Sequence, residues 1–346
     1  MSKEKVTICI TSYNLEKYIG EALESILKQH TEFPYKILVA DDCSTDRTLE
    51  ILEQYRKEYP DIIEIRAASA NMGSLANSNR IFDGLQSEYF TFLDGDDYWI
   101  DDKLLQKQVD FLDSHTEYQM CAGNTQMMRE GKPAEYLLAP DDLERMYTFD
   151  DMLCDRMPFV HTSSILLRNT IFCKGIPDCF KEAVGKYYEC ALRGEDFRRI
   201  IHLENGPIYV FEDVFSVYRV HEKGIWQGKS KVEQQIETVI SWYFQSKYYR
   251  EKYGNYFLDK FYATYKDLIF KMITERAFLS EYNLTEKESM IFTGLLNDIA
   301  RSKNNNRIVI DNEADYFIRQ INEYLARTHS GSFKRKLLLK LMQFWR

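Results

Sequence analysis

Short apolar, β-branched runs alternate along the first two thirds of the chain with segments whose apolar residues recur three and four positions apart. Residues 6–10 (VTICI) form such a run and end at Thr11-Ser12-Tyr13-Asn14, after which Leu15, Ile19, Leu23, Ile26 and Leu27 predict a helix. Residues 36–40 (KILVA) predict a second buried strand, ending in Asp41-Asp42, with Ser44, Thr45 and Asp46 as caps for a helix carrying Leu49, Leu52 and Tyr55. The unit repeats: strand 62–66, helix 74–85, strand 89–93, then a helix capped by Asp101 that carries Leu104, Leu105, Val109 and Leu112. Residues 120–125 predict another strand. Gly131, Pro133 and Pro140 then break any periodicity, so 126–146 is expected to be a long irregular segment, a place for a lid or for acceptor contacts. Residues 160–167 (VHTSSILL) return to strand character. Gly194-Glu195-Asp196 opens a helix with Phe197, Ile200, Ile201 and Leu203, and 208–211 with 214–220 predict a final strand pair before His221. From about Gln227 the pattern changes to helical stretches at 232–253, 256–279, 286–300 and 312–328, interrupted by Asn304-Asn305-Asn306.

This alternation predicts an α/β fold: a doubly wound, mostly parallel sheet with helices on both faces and a helical C-terminal extension. The expected division falls at 1–226 and 227–346. Ligands of such sheets bind at strand C-termini, which places Thr11 and Tyr13, Asp41 and Asp42, Asn71 and Gly73, and the cluster Asp94, Asp96 and Asp97 along one rim.

Composition narrows the chemistry. The 346 residues are 45% hydrophobic and 29% charged, enough for a real core. Aromatic residues reach 14%, with 24 Tyr and 21 Phe, compatible with sugar or base stacking although core packing is the ordinary role of any one ring. A net charge of -9 argues against a nucleic-acid surface, and an anionic ligand then needs local help, which a metal ion supplies. Seven cysteines without a C-x-x-C pair fit a reducing cytoplasm. The N-terminal apolar run is too short for a signal peptide and no segment reaches membrane-spanning length, so a cytoplasmic location is expected. Residues 332–346 (SFKRKLLLKLMQFWR) wind into a basic amphipathic helix, suited either to peripheral contact with the inner face of the cell membrane or to docking on its own domain.

Residues 88–99 (EYFTFLDGDDYW) run a strand into three carboxylates, which repel one another and favour a hard divalent cation. Taken alone, Asp96 and Asp97 also suit a turn and a helix cap. The second acidic strand end, Asp41-Asp42, weakens that bland alternative. No Gly-x-Gly-x-x-Gly and no Walker loop follows any strand, so dinucleotide and P-loop sites lack their phosphate cradle.

The motifs VTICITSYN, ADDCSTD (40–46), NMG (71–73), YFTFLDGDDYW, Glu195-Asp196 and YRVH (218–221) together resemble family 2 glycosyltransferases of the A-type fold, over about two thirds of the chain. The resemblance implies a nucleotide-binding half at 1–115, an acceptor-binding half at 116–226, and metal-dependent inverting transfer of a hexosyl group from a nucleotide-diphosphate sugar, UDP-linked by preference. The acceptor it implies is a hydroxyl of a growing bacterial-type surface glycan or glycolipid. It places Thr11, Tyr13, Asp42, Asn71, Asn79 and Asp96 at the nucleotide, and Asp94, Asp96, Asp97 and His221 at a Mn2+ or Mg2+ ion. Asp196 matches the catalytic base; without the resemblance, a helix first-turn acid is the better account of it. Where many relatives carry Arg-Asn, this chain has Ser78-Asn79 with Arg80 one position on, leaving open whether Arg80 serves the diphosphate. Arg219 and Lys223 suit a diphosphate neighbourhood around His221, whereas His161, inside an apolar run, reads as a core residue. Two alternatives share much of this pattern. A sugar nucleotidyltransferase would need a Gly-rich N-terminal loop with a basic end, absent here; a degenerate binding module would have no use for the intact triplet and Asp196.

Overall fold

The computed structural model describes residues 4–221, 224–274, 291, 294 and 295. The chain divides into two compact units, Met1–Val184 with Leu192–Gly228, and Gly185–Ala191 with Lys229–Arg346. The segment 185–191, which the sequence reading assigns to the first domain, groups with the second unit.

The first unit opens as β1 (Val6–Ser12), α1 (Ile19–Leu27), β2 (Tyr35–Asp41), α2 (Thr48–Glu58), β3 (Ile63–Ala67), α3 (Ser74–Phe82) and β4 (Tyr89–Phe92). It continues through β5 (Tyr98–Trp99), α4 (Leu104–Ser114), β6 (Met120–Arg129), β7 (Glu135–Tyr136), β8 (Arg145–Tyr147), α5 (Phe149–Leu153), β9 (Ile165–Arg168) and α6 (Asp178–Glu182). A short α7 (Cys190–Arg193) precedes α8 (Glu195–Leu203) and β10 (Ile208–Val220). Among the described residues the strands form one sheet in the order β3-β2-β1-β4-β9-β6-β10-β5, with β7 on β6 and β8 on β10. β3, β2, β1 and β4 are mutually parallel. β9 runs antiparallel between β4 and β6, and β10 is parallel to β6. The C-terminal ends of β1, β2, β4, β6 and β10 therefore share one rim, with the order reversing beside β1, where open sheets leave a crevice.

Three local expectations change. The segment 126–146 carries β7, a 3-10 turn at Pro140–Asp142, and the start of β8, elements too short to leave a period in the sequence. The expected strand at 160–167 begins instead with a 3-10 turn at Thr162–Ser164, and the expected final strand pair is one continuous β10 with register shifts near Val214. There β10 crosses β6 so closely that a Cβ on Gly123 would lie 2.4 Å from the Phe215 ring and 2.7 Å from the Asp213 carbonyl oxygen.

One face of the sheet is covered by apolar stripes, with Ile19, Ala22, Leu23 and Ile26 of α1 packed in the same buried cluster as Ile8, Ile10, Val39, Leu104 and Leu105. Each fully buried large apolar side chain contributes about 1.5–3 kcal/mol. Elsewhere Phe82 stacks on Phe172 at 3.8 Å and meets Phe90, Phe92 and Phe180 edge-on. His202 of α8 closes this aromatic group, 5.8 Å from the Phe90 ring. Its Nδ1 lies 2.7 Å from the Arg198 carbonyl oxygen, which fixes an Nδ1–H tautomer, and Nε2 has no partner.

In the second unit, α9 (Lys231–Tyr248) starts at a Ser230 cap whose hydroxyl accepts the Glu233 amide, and α10 (Gly254–Thr274) packs beside it. Tyr243 meets Phe261 at 5.1 Å, and Lys229 pairs with Glu237 at 2.5 Å, both nearly buried. α9 ends at Tyr248, short of the 253 that the periodicity predicts, and residues 275–279 of the next expected helix lie outside the described residues. The expected helices at 286–300 and 312–328, the 304–306 interruption and the basic stretch 332–346 lie outside the described residues, apart from the isolated positions 291, 294 and 295. No helix among the described residues is long and apolar enough to cross a membrane.

Burial pushes the His202 pKa down to about 4 from its ordinary value near 6.5. Between those values the unfolded chain binds a proton that the folded one excludes, so stability falls as pH drops from 6.5 toward 4, at up to about 1.4 kcal/mol per pH unit. A His202→Gln variant is expected to show a shallower fall than the parent in urea unfolding midpoints followed across that range.

Candidate active site

Asp41 and Asp42 end β2 and divide two tasks. Asp41 accepts hydrogen bonds from the Ser12 hydroxyl at 2.9 Å, the Ser44 amide at 2.9 Å and the Ser44 hydroxyl at 2.6 Å, so it orders the loop after β2. Asp42, 4% exposed, accepts the Met72 amide at 2.7 Å on one oxygen and the Gly73 amide at 2.9 Å on the other. Gly73 has φ of 87°, the left-handed region that glycine tolerates. Thr11 lies on the same rim, with Tyr13, Asn71 and Met72 exposed on it.

Asn79 is engaged elsewhere: its amide donates to the Phe180 carbonyl at 3.0 Å. Arg80 donates to the Asp41 carbonyl at 3.3 Å, to Asn77 Oδ1 at 2.9 Å and to the Arg66 carbonyl at 2.5 Å. It thus ties α3 to the ends of β2 and β3, and its guanidinium is a main-chain clamp.

The loop after β4 holds the acidic cluster. Asp97 is 1% exposed; its Oδ1 accepts the Arg219 amide at 2.9 Å while its Oδ2 has no partner. The Arg219 guanidinium donates to the Asp96 carbonyl at 2.6 Å, pairs with Glu21 and lies 4.3 Å over the Tyr98 ring. Arg219 therefore builds the loop, and Lys223, its companion in the sequence reading, lies outside the described residues. Asp96 Oδ2 meets His221 Nε2 at 3.0 Å, and the His221 ring stacks on Tyr18 at 5.1 Å.

Asp94, Asp97 and His161 each place one ligand-type atom within 4.8 Å of the other two. His161 was the residue that sequence reasoning passed over. The turn at Thr162–Ser164 swings it out of the apolar run, with its ring stacked on Tyr218 at 4.5 Å. Its Nδ1 meets Ser163 Oγ at 2.7 Å, Ser163 Oγ donates to Ser216 Oγ at 2.8 Å, and Thr125 Oγ1 joins at 3.0 Å. That chain favours a proton on Nδ1, and the weaker approach of the Ser163 amide at 3.4 Å is the competing arrangement. His161 Nε2 faces Asp97 Oδ2 at 3.9 Å, too far for a hydrogen bond in either tautomer.

Burial, then Asp96 and Glu195, raise the Asp94 pKa to about 7, against the pull of Arg198. Burial, Asp96 and Asp94 push Asp97 well above the usual carboxylate range, against the Arg219 amide. Burial lowers His161 to about 4 and keeps it neutral. Two acids strained toward protonation, a neutral imidazole and an orphaned buried oxygen make a donor set that fits a divalent cation.

Asp196 stands in the first turn of α8, its side chain 64% exposed and paired with Arg199 at 2.8 Å. The protein around it desolvates the carboxylate and raises its pKa, opposed by Arg199, while its exposure to water moderates the rise. Arg199 also donates to the Val160 carbonyl at 3.3 Å, linking α8 to the His161 turn.

Residues 7–172 match the family described as Glycosyl transferase family 2. That segment is a glycosyl transferase family 2 domain. An uncharacterized protein of Mycobacterium tuberculosis is 31% identical over 223 residues, 64% of this chain and 61% of that protein. The chain thus spans about three fifths of the length of that relative. The poly(ribitol-phosphate) β-N-acetylglucosaminyltransferase TarS of Staphylococcus aureus is 35% identical over 115 residues, 32% of this chain and 19% of TarS. The crystal structure of S. aureus TarS 1–349 in complex with UDP-GlcNAc superposes with a TM-score of 0.50 at 17% identity, covering 93% of this chain and 80% of that one, a likeness of fold.

Arg80→Met removes a guanidinium that satisfies three acceptors. It is expected to lower the free energy of urea unfolding by about 1–3 kcal/mol. An unchanged midpoint would show that water replaces the clamp.

Proposed function

We propose that the protein is a metal-assisted, inverting glycosyltransferase that moves a sugar from a UDP-linked donor to a hydroxyl of a cell-surface glycan or glycolipid. The observation that carries the reading is the cation-competent set Asp94, Asp97 and His161 with its unpartnered Asp97 oxygen, on the rim that also carries Asp42. Family membership supports the reaction class. The UDP-GlcNAc bound to TarS and the poly(ribitol-phosphate) in its name support the donor and the kind of acceptor.

In this reading Thr11, Tyr13, Asn71 and Asp42 receive the nucleotide, Asp42 through lone pairs left free beside its two amide bonds. Asp96, in the loop after β4, and His221, just past β10, face one another and adjoin the ribose and diphosphate. Asn79 supports this region through the Phe180 carbonyl. Asp94, Asp97 and His161 would hold Mn2+ or Mg2+, with Asp96 and His221 beside them as further donors. The cation, when bound, offsets the negative charge that gathers on a departing diphosphate. Asp196 accepts the proton of the acceptor hydroxyl as that oxygen attacks the anomeric carbon from the face opposite the leaving group, which inverts its configuration. The exposure of Asp196 suits it to meet an acceptor arriving from solvent. The stretch 332–346 supplies a basic amphipathic segment for contact with an anionic membrane surface.

Asp196→Asn is expected to lose transfer by roughly 100- to 10,000-fold with UDP binding retained, measured by initial rates and by calorimetry. The raised Asp196 pKa places the acid limb of the parent's rate profile above the usual aspartate range, because a protonated carboxyl cannot take the hydroxyl proton. Full transfer by Asp196→Asn would refute the assignment of the base.

His161→Ala and Asp97→Asn are each expected to weaken Mn2+ binding by at least roughly 10-fold in titrations that follow free Mn2+ by electron paramagnetic resonance. Wild-type Mn2+ affinity in His161→Ala would return that histidine to a core role.

A further inference from the structure

Arg198 is an oddity among the arginines around the site. Arg80, Arg199 and Arg219 all hold carboxylates or carbonyls. Arg198 is 6% exposed, its guanidinium lies 4.3 Å over the Phe92 ring and 6.0 Å from Phe82, and among the described residues that guanidinium forms no hydrogen bond and no ion pair. Buried charges are ordinarily paired and hydrogen-bonded, because leaving them otherwise costs several kcal/mol. A guanidinium with its planar set of donors unassigned is therefore poised for oxygen atoms that arrive with a ligand.

Its position says which ligand. Phe92, beneath the guanidinium, is the last residue of β4, directly before the loop that carries Asp94. Glu195 and Arg198 are three apart on α8 and share a face of the helix. Arg198 is accordingly coupled electrostatically to both Asp94 and Glu195, while burial lowers its own pKa. With Glu195, Asp94 and Asp196 all acting on it, the guanidinium's charge is already answered, and the cation is left to meet the diphosphate. Ionised carboxylates only accept hydrogen bonds and a guanidinium only donates, and the group that answers both at once is a hydroxyl. Neighbouring hydroxyls on a sugar ring present that pairing twice.

We infer that Arg198 is a specificity-determining residue of the donor site, bracketing hydroxyls of the transferred sugar together with Asp94 and Glu195. This rests on the glycosyltransferase reading above. It assigns Arg198 to the sugar and not to the nucleotide, so the two parts of the donor separate the hypotheses.

The test compares full-length parent, Arg198→Met and Arg198→Lys by calorimetry with Mn2+, using UDP and UDP-N-acetylglucosamine, UDP-N-acetylgalactosamine, UDP-glucose and UDP-galactose. For the UDP-sugar that the parent binds best, the ratio of its Kd to that of UDP is expected to rise roughly 10-fold or more in Arg198→Met, with UDP affinity unchanged. The rise in Arg198→Lys is expected to be smaller. Thermal unfolding of Arg198→Met is expected at or above the parent's, since an apolar chain replaces a desolvated charge. A merely structural arginine would lower the melting temperature and weaken UDP and UDP-sugar alike. Should Arg198→Met not fold, Arg198→Lys is judged by the same ratio. An unchanged ratio, or a parent that binds UDP but none of the four sugars, overturns the inference alone. A parent that binds no nucleotide overturns the glycosyltransferase reading and the inference with it.

Discussion

The rim is organised by mutual repulsion among Asp94, Asp96 and Asp97. Unit charges about 4 Å apart near a protein surface repel by about 4 kcal/mol, and burial of Asp94 and Asp97 adds a desolvation cost. The fold meets part of that demand itself. The Arg219 amide serves Asp97, its guanidinium holds the Asp96 carbonyl, His221 faces the Asp96 carboxylate, and Arg198 adds positive charge near Asp94. One oxygen of Asp97 is left without a partner, and that residual demand is one a cation would meet.

The groups that answer the acids come from distant parts of the chain, and sheet topology brings them together. β4 delivers the acids, the turn before β9 delivers His161, and β10 delivers Ser216, Tyr218 and Arg219 and leads directly to His221. Alternation along β10 sorts these duties. Ser216 and Tyr218, two apart, serve the His161 side, whereas the amide and side chain of Arg219 serve the acidic loop. The unusually close approach at Gly123 fits β10 into this arrangement, since a side chain there would strike Phe215.

The short apolar runs at β1, β2, β3 and β4 and the helical stripes between them were legible in the sequence, and so was the shared rim, because burial on both faces leaves an apolar signature that turn residues interrupt. Asp41 and Asp42 were legible only as one acidic strand end, and the structure gives Asp41 the ordering of the loop. His161 was not legible: five apolar residues surround HTSS within 159–167, and nothing local announces that Thr162–Ser164 coils into a turn that re-aims the ring. The fates of Arg80 and Arg198 were equally hidden, since main-chain carbonyls and ring faces from distant elements decide which guanidinium is engaged. Short strands such as β7 escape any window long enough to measure a period.

The two amide bonds of Asp42 carry one more implication. An asparagine at that position would turn an NH2 group toward Met72 or Gly73, setting donor against donor and releasing the loop. The carboxylate proposed to read the nucleotide base is also the latch of residues 71–73. Base preference and loop shape are thereby fused into a single inheritable trait, and neither can drift while the other stays still.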